Sequence, residues 1–202
     1  MPLTAADAIP LRDLVSEEMV GAAAITCARL LPHVRDRADL HGRDPLEKYH
    51  NLLMGEVAEL AVIAYLTGQG KSAVSAVDKA ATTPDAGHDL LVCRENGTAA
   101  KCSVKSSLSY RHGIGAIPGQ FRPAFNRREP RDINIQVYFH YRLDSEPRTT
   151  VAASTHAYII GWASEKKLLD SGFIVYNGEK RRVADLKLAD LSPMAELLPL
   201  LS

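Results

Sequence analysis

Apolar positions in the first third of the chain recur at intervals of three and four. Between residues 11 and 34 the set Leu14, Met19, Val20, Ala23, Ile25, Leu30 and Leu31 predicts one or two amphipathic helices. The polar run RDRADLHGRDP that follows contains Gly42 and Pro45 and reads as a connector. A second helix is expected after Asp44, which can cap it with Pro45 in the first helical position. It runs through Leu66 to TGQG, where Gly68 or Gly70 can close it in the left-handed conformation. Its buried stripe is Leu53, Val57, Leu60, Ala61, Ala64 and Tyr65.

The period then drops to two. Residues 71–77, 88–93, 99–106, 133–143 and 149–160 alternate as strands. A short helix is expected over 162–170 behind Ser164, a short strand over 173–176 before Asn177-Gly178, and an apolar helix over 194–201. Helices preceding and following a run of strands predict an α/β fold, a central mixed sheet flanked by helices. One domain accounts for residues 1–202: a helical region 1–43, a core 44–107, an excursion 108–131, and the remaining strands and helices in 132–202.

Charge changes this picture only locally. Lys and Arg number 24 and Asp and Glu 24, so net charge supplies no general attraction to a polyanion. Residues 106–131, however, hold five arginines, Arg111, Arg122, Arg127, Arg128 and Arg131, against the single acid Glu129, with Tyr110, His112, Phe121 and Phe125 interleaved. Arginines among aromatics suit phosphate contacts and stacking on bases. Cys27, Cys93 and Cys102 cannot all pair and form no CxxC, which suggests a reduced, cytoplasmic chain. The apolar run 20–28 is short and follows Glu17 and Glu18, so neither a signal peptide nor a membrane partner is expected.

The candidate chemistry lies in PDAGHDLLVCRENGTAAKCSVKSS, residues 84–107, and in the helix just ahead of it. Asn96-Gly97 between alternating segments marks a hairpin. A two-residue loop would place Asp89 opposite Val104 and send Lys105 to the other face. A three-residue loop, with Gly97 as the left-handed residue, pairs Arg94 with Thr98 and sets Asp89 opposite Ser103, with Lys105 on the same face. The apolar pattern favours the second register, because Leu90, Val92, Cys102 and Val104 then share the opposite face as a core layer. On the helix, Glu56 and Glu59 stand three apart in its most apolar part, where a carboxylate is only partly exposed. The ordinary account of Asp89 and Lys105 is a cross-strand ion pair on a solvated sheet face. Their conjunction with Glu59 and the basic excursion favours a functional site, with Asp89 preferred over Asp85 because Leu90-Leu91-Val92 stand behind it.

Glu59, Asp89 and Ser103-Val104-Lys105 together resemble the signature of the PD-(D/E)XK nuclease superfamily. Gly55-Glu56-Val57-Ala58-Glu59 with Ala61, Tyr65 and Leu66 is similar to the first core helix of several bacterial members. His88-Asp89-Leu90-Leu91-Val92 resembles the aspartate strand, and Val104-Lys105-Ser106-Ser107 the lysine strand. The resemblance covers about residues 55–107 and implies a restriction-endonuclease-like core. The position two before the lysine, usually acidic or Gln in the family, is Ser103 here. A subset of type II restriction enzymes shares that serine and recruits a carboxylate from elsewhere, commonly a helix, a part open to Glu59 or Glu56.

The resemblance implies a Mg²⁺-dependent deoxyribonuclease, with Mn²⁺ as a substitute ion, that hydrolyses phosphodiester bonds in double-stranded DNA and leaves a 5′-phosphate, in restriction, phage or mobile-element biology. Asp89, Glu59 or Glu56, and the Val104 carbonyl would hold the ion; Lys105 would hold the attacking water and offset the developing charge, and Ser103 completes the catalytic set. Arg111, Arg122, Arg127, Arg128 and Arg131 would contact the nucleic acid, and a homodimer is compatible with cutting two strands. Two other functions stay open: a nuclease-like protein that binds nucleic acid or a partner protein without cutting, invited by Ser103, and a Holliday junction resolvase.

Overall fold

A serine and an aspartate start the two long helices. In the computed structural model, which describes residues 2–34, 42–78, 88–109, 112–126, 130–140, 157–175 and 182–202, a two-residue strand β1 (Ile9–Pro10) leads to α1 (Glu17–Leu30). The Ser16 hydroxyl accepts the Met19 N–H there, and Glu17 and Glu18 lie in the first turn, where the helix dipole favours acids. The Asp44 carboxylate accepts the Glu47 N–H at 2.9 Å, Pro45 occupies the first turn, and α2 runs over Pro45–Gly68. Gly70, at φ +72°, turns the chain away. The buried face of α2 comprises Leu53, Met54, Val57, Ala58, Ala61, Val62 and Leu66. Among the described residues α2 is the one helix long and apolar enough to cross a membrane. Its packing against α1 and the sheet is that of a core helix.

Six strands form one sheet: β1, then β2 (Ala73–Ser75), β3 (Leu90–Cys93), β4 (Ala99–Ser109), β5 (Ile133–His140) and β6 (Ala157–Ser164), in the spatial order β1-β6-β5-β4-β3-β2. Every neighbouring pair is antiparallel except β4 and β5, which run parallel. That pair needs a crossover connection, and the segment from Ser109 to Ile133 supplies it, including the short helix α3 (Ile117–Gln120). After the sheet come α4 (Glu165–Ser171), a two-stranded ribbon of β7 (Phe173–Val175) and β8 (Arg182–Ala184), and α5 (Met194–Leu197). The protein is thus α/β, with a mixed six-stranded sheet flanked by helices.

The sheet is buried on both faces at its centre. Ile133, Ile135, Val137 and Phe139 of β5 join α1, α2 and Val92, Cys102 and Val104 in one core. Tyr138 belongs to a second core with Ile117, Phe125, Ile160, Leu168 and Leu188. Two expectations shift. The strand expected over 149–160 extends instead over Ala157–Ser164, so Trp162 pairs with Ile135 and the following helix begins only after Ser164, whose hydroxyl accepts the Lys167 N–H. The excursion is less irregular than its composition suggests, since β4 continues to Ser109 and α3 follows. Residues 149–156 and the Asn177-Gly178 turn lie outside the described residues.

Gly161 shows how closely the C-terminal segment seats on β6. Trp162 and Ser192 exchange backbone hydrogen bonds of 2.9 and 2.8 Å. A Cβ at position 161 would meet the Ser192 carbonyl oxygen at 2.6 Å and Leu3 Cδ1 at 2.7 Å. Backbone cannot yield as a flexible side-chain end can. Gly161→Ala is therefore expected to cost about 1–3 kcal/mol, read as a lower urea midpoint at unchanged m-value; an unchanged midpoint would show that residue 192 moves aside freely.

Candidate active site

The loop between β3 and β4 has the longer of the two lengths considered. Arg94 donates its N–H to the Thr98 carbonyl at 2.8 Å, Gly97 donates to the Arg94 carbonyl at 2.8 Å, and Gly97 lies at φ +79°. Asn96 reinforces the turn by accepting from the Thr98 N–H and hydroxyl. The ladder then runs Cys93 with Ala99, Val92 with Ala100 and Leu90 with Cys102. Leu90, Val92, Cys102 and Val104 are all buried in the first core. Their neighbours Asp89, Ser103 and Lys105 consequently share the other face.

On that face the three side chains touch. Asp89 Oδ2 accepts from the Ser103 hydroxyl at 3.1 Å and from the Val104 N–H at 2.7 Å, and the Lys105 ammonium stands 3.5 Å from the same oxygen. Asp89 immediately precedes β3, and its own N–H donates to the Cys102 carbonyl at 3.0 Å, which holds its backbone against β4. The Asp89 and Lys105 side chains keep 17% and 29% of their surface, so the pair is sheltered yet reachable from solvent. A pair of this exposure avoids the full desolvation cost of a buried one. Ser103 is buried. Its hydroxyl serves to orient Asp89.

Val104 extends the arrangement. In a pleated strand the N–H and C=O of one residue leave the same edge. Because the Val104 N–H points to Asp89, its carbonyl faces the β3 side of β4, past the rung that pairs Leu90 with Cys102. The Lys105 carbonyl points the other way, to β5, where it accepts from Gln136. Among the described residues Asp89 Oδ1 carries no hydrogen bond.

Glu56 and Glu59 are half-buried on α2, as expected. Glu59 is the helix acid whose field is felt at the hairpin. Burial pushes the Cys102 thiol well above its ordinary value, the Asp89 and Glu59 charges push it further, and the Lys105 ammonium opposes them. All three site residues thus act on one buried sulfur. Cys102 and α2 lie on one side of the sheet and Lys105 on the other. Among the described residues no group of three or more His, Cys, Asp or Glu is gathered at metal-binding spacing.

The basic excursion is described only in part. Arg111, Arg127 and Arg128 lie outside the described residues. Arg122 is ion-paired with Asp185 at the root of the ribbon, and Arg131 is half-buried with its guanidinium donating to the Pro130 carbonyl at 3.2 Å. Both described arginines therefore have roles in holding the fold. The residues that pattern reading passed over are Asp132, Asn134 and Gln136. Asp132 accepts the Lys101 N–H at 2.9 Å and pairs with Arg94 at 3.2 Å. Asn134 and Gln136 are buried amides beside Ser103 and Lys105 in the β4–β5 register. Two amides at period two within INIQVYFH were the available signal.

Comparison with protein-family models, with curated proteins and with solved structures found no match.

The Cys102 environment has a measurable consequence. Its thiol is held protonated in the native state, while the unfolded thiol titrates near 9.0. Below that pH both states are protonated and nothing is lost. Above it the unfolded chain releases a proton that the native one keeps, so stability falls with rising pH. The urea midpoint is expected to drop more between pH 8 and pH 10 for the wild type than for Cys102→Ala; equal drops would remove Cys102 as a source of alkaline sensitivity.

Proposed function

We propose that this protein is a Mg²⁺-dependent endonuclease that hydrolyses phosphodiester bonds in DNA, on a restriction-endonuclease-like core, in the cytoplasm. The observation that carries the reading is the hairpin register: Asp89, Ser103 and Lys105 share one face, with Lys105 3.5 Å from Asp89. An Asp–Lys pair closed by a serine and a backbone N–H is more built than a solvated cross-strand pair needs.

The donor set suits a hard cation. The unbonded Asp89 oxygen and the Val104 carbonyl are oxygen donors, and Glu59 supplies a second carboxylate from α2. Mg²⁺ needs only one or two protein carboxylates beside water and phosphate, so a cluster of three is not required. Bound there, the ion would supply a Lewis acid against the charge of the phosphodiester. Within the chain, Ser103 and the Val104 N–H fix one oxygen of Asp89 so that the other keeps a constant direction. The Lys105 ammonium orients the attacking water and offsets negative charge as the scissile phosphate gains it. Arg111, Arg127 and Arg128 of the excursion would provide the contacts to the DNA backbone.

A second reading has one observation in its favour. Ser103 spends its hydroxyl on Asp89, so the hairpin holds a single acid. On that reading the protein binds nucleic acid or a partner without cutting, and neither Mg²⁺ nor Mn²⁺ binds.

Plasmid DNA with Mg²⁺ separates the two. Wild type is expected to nick and linearise it, and Asp89→Ala and Lys105→Ala to be slower by about 10²–10⁴-fold. Equal cutting by all three would take these residues out of the mechanism, and no cutting by the wild type with retained DNA binding would favour the second reading.

A further inference from the structure

One fully buried polar side chain beside the site is not used by the chemistry proposed above. Gln136 is completely inaccessible and stands opposite Lys105 in the parallel β4–β5 ladder. Its Nε2 lies 3.0 Å from the Lys105 carbonyl oxygen, 3.2 Å from Ser107 Oγ and 2.8 Å from the Val137 carbonyl oxygen, so two hydrogens are shared among three acceptors. Its Oε1 accepts the Ala124 N–H at 2.8 Å. That last bond leaves the sheet. Ala124 belongs to the crossover connection, next to Phe125, which is buried in the second core, and two residues after Arg122.

A buried amide with donors and acceptor all engaged is held in one orientation, since each alternative leaves a polar atom unpaired away from water. Gln136 therefore ties two things together rigidly. One is the backbone of the residue whose ammonium stands beside Asp89. The other is the crossover segment that covers this face of the sheet. The β5–β6 register also shifts between Gln136 and Val137, and an irregularity of this kind re-aims the side chains around it.

We infer that Gln136 is a positioning residue for Lys105, fixing its backbone against the crossover so that DNA bound along the crossover and the Lys105 ammonium keep one relative placement. The inference rests on the nuclease reading. Gln136 does not hydrogen-bond Asp89, so it acts through Lys105.

The test compares wild type, Asp89→Ala, Gln136→Met and Gln136→Glu by steady-state cleavage of a DNA duplex with Mg²⁺, alongside urea unfolding and amide hydrogen exchange at Ala124. Gln136→Met keeps the volume and loses every bond. Its kcat is expected to fall about 10–100-fold, the scale of a misplacement near 1 Å, with KM within about threefold because contacts to bound DNA are kept. Ala124 exchange should rise while the protein stays folded at the assay temperature. Gln136→Glu carries the test if the Met variant does not fold. It leaves an oxygen for Ala124 and, whatever its protonation, at most one donated bond, so kcat should fall while Ala124 stays protected. Unchanged kcat in a folded variant, or a fall that only tracks the unfolded fraction, would overturn the inference while leaving the nuclease reading intact. A wild type that cuts no better than Asp89→Ala would overturn both.

Discussion

Closure of the β3–β4 hairpin by Gly97 decides which face every residue of both strands occupies. A side chain in a strand alternates strictly between faces, so a loop one residue shorter would turn one strand over relative to the other. Either Leu90 and Val92 or Cys102 and Val104 would then lose the core as their cover, and Asp89 would lose Ser103 and Lys105. The core and the candidate site consequently depend on one backbone conformation, a residue at φ +79° that an L side chain enters only with strain. The apolar face makes the register stable, and the polar face inherits its alignment from it. Site geometry here is a by-product of core packing, which is why it can be rigid without many bonds of its own.

The polar face is held by an uneven division of labour at Asp89. One oxygen takes all three of its contacts, from a hydroxyl, a backbone N–H and an ammonium. Concentrating donors on one oxygen offsets the partial burial of the carboxylate and leaves the second oxygen available without loss of orientation. Ser103 matters in this scheme because it is short. An acidic side chain at that buried position would place a second negative charge beside Asp89, and like charges so close resist joint ionisation without a cation between them. The serine instead gives Asp89 a donor and brings no second charge.

How far the sequence spoke for the structure follows from the range of the forces involved. The caps at Ser16, Asp44 and Ser164, the left-handed Gly70 and Gly97, and the hairpin register are local, set by residues within about a turn of one another, and each was legible. The late part of the chain was less so. Trp162-Ala163-Ser164 reads as a helix start by pattern, yet pairing with β5 keeps it extended until Ser164 can cap, and only the neighbouring strand supplies that information. The two-residue β1 and the short β8 exist because β6 and β7 offer edges to pair with. Among the candidate site residues, Asp89, Ser103 and Lys105 could be aligned from the turn together with the apolar pattern of the two strands. Glu59 could be named but not placed, since helix and hairpin meet through the fold. Gln136 was passed over because its alternation with apolar neighbours in INIQVYFH marks only a strand, and the partners that make the amide matter, the Ala124 N–H and the Lys105 carbonyl, come together through the fold.

That two-faced burial also explains why amides occupy β5 at all. A parallel pair at the centre of a sheet is covered on both sides, and its crossover must lie on one of them. The crossover here brings backbone with it, and a buried N–H without an acceptor is costly. Asn134 meets that demand by accepting the Arg131 N–H and donating to the Arg131 and Ala163 carbonyls, and Gln136 meets it at Ala124. Apolar residues at these two positions would fill the space but leave the connection's backbone unpaired. The same two amides sit opposite Ser103 and Lys105 in the ladder. The constraint that seats the crossover therefore falls on the two rungs that carry the polar face of the hairpin, and the parts proposed to hold DNA and to act on it share one set of hydrogen bonds.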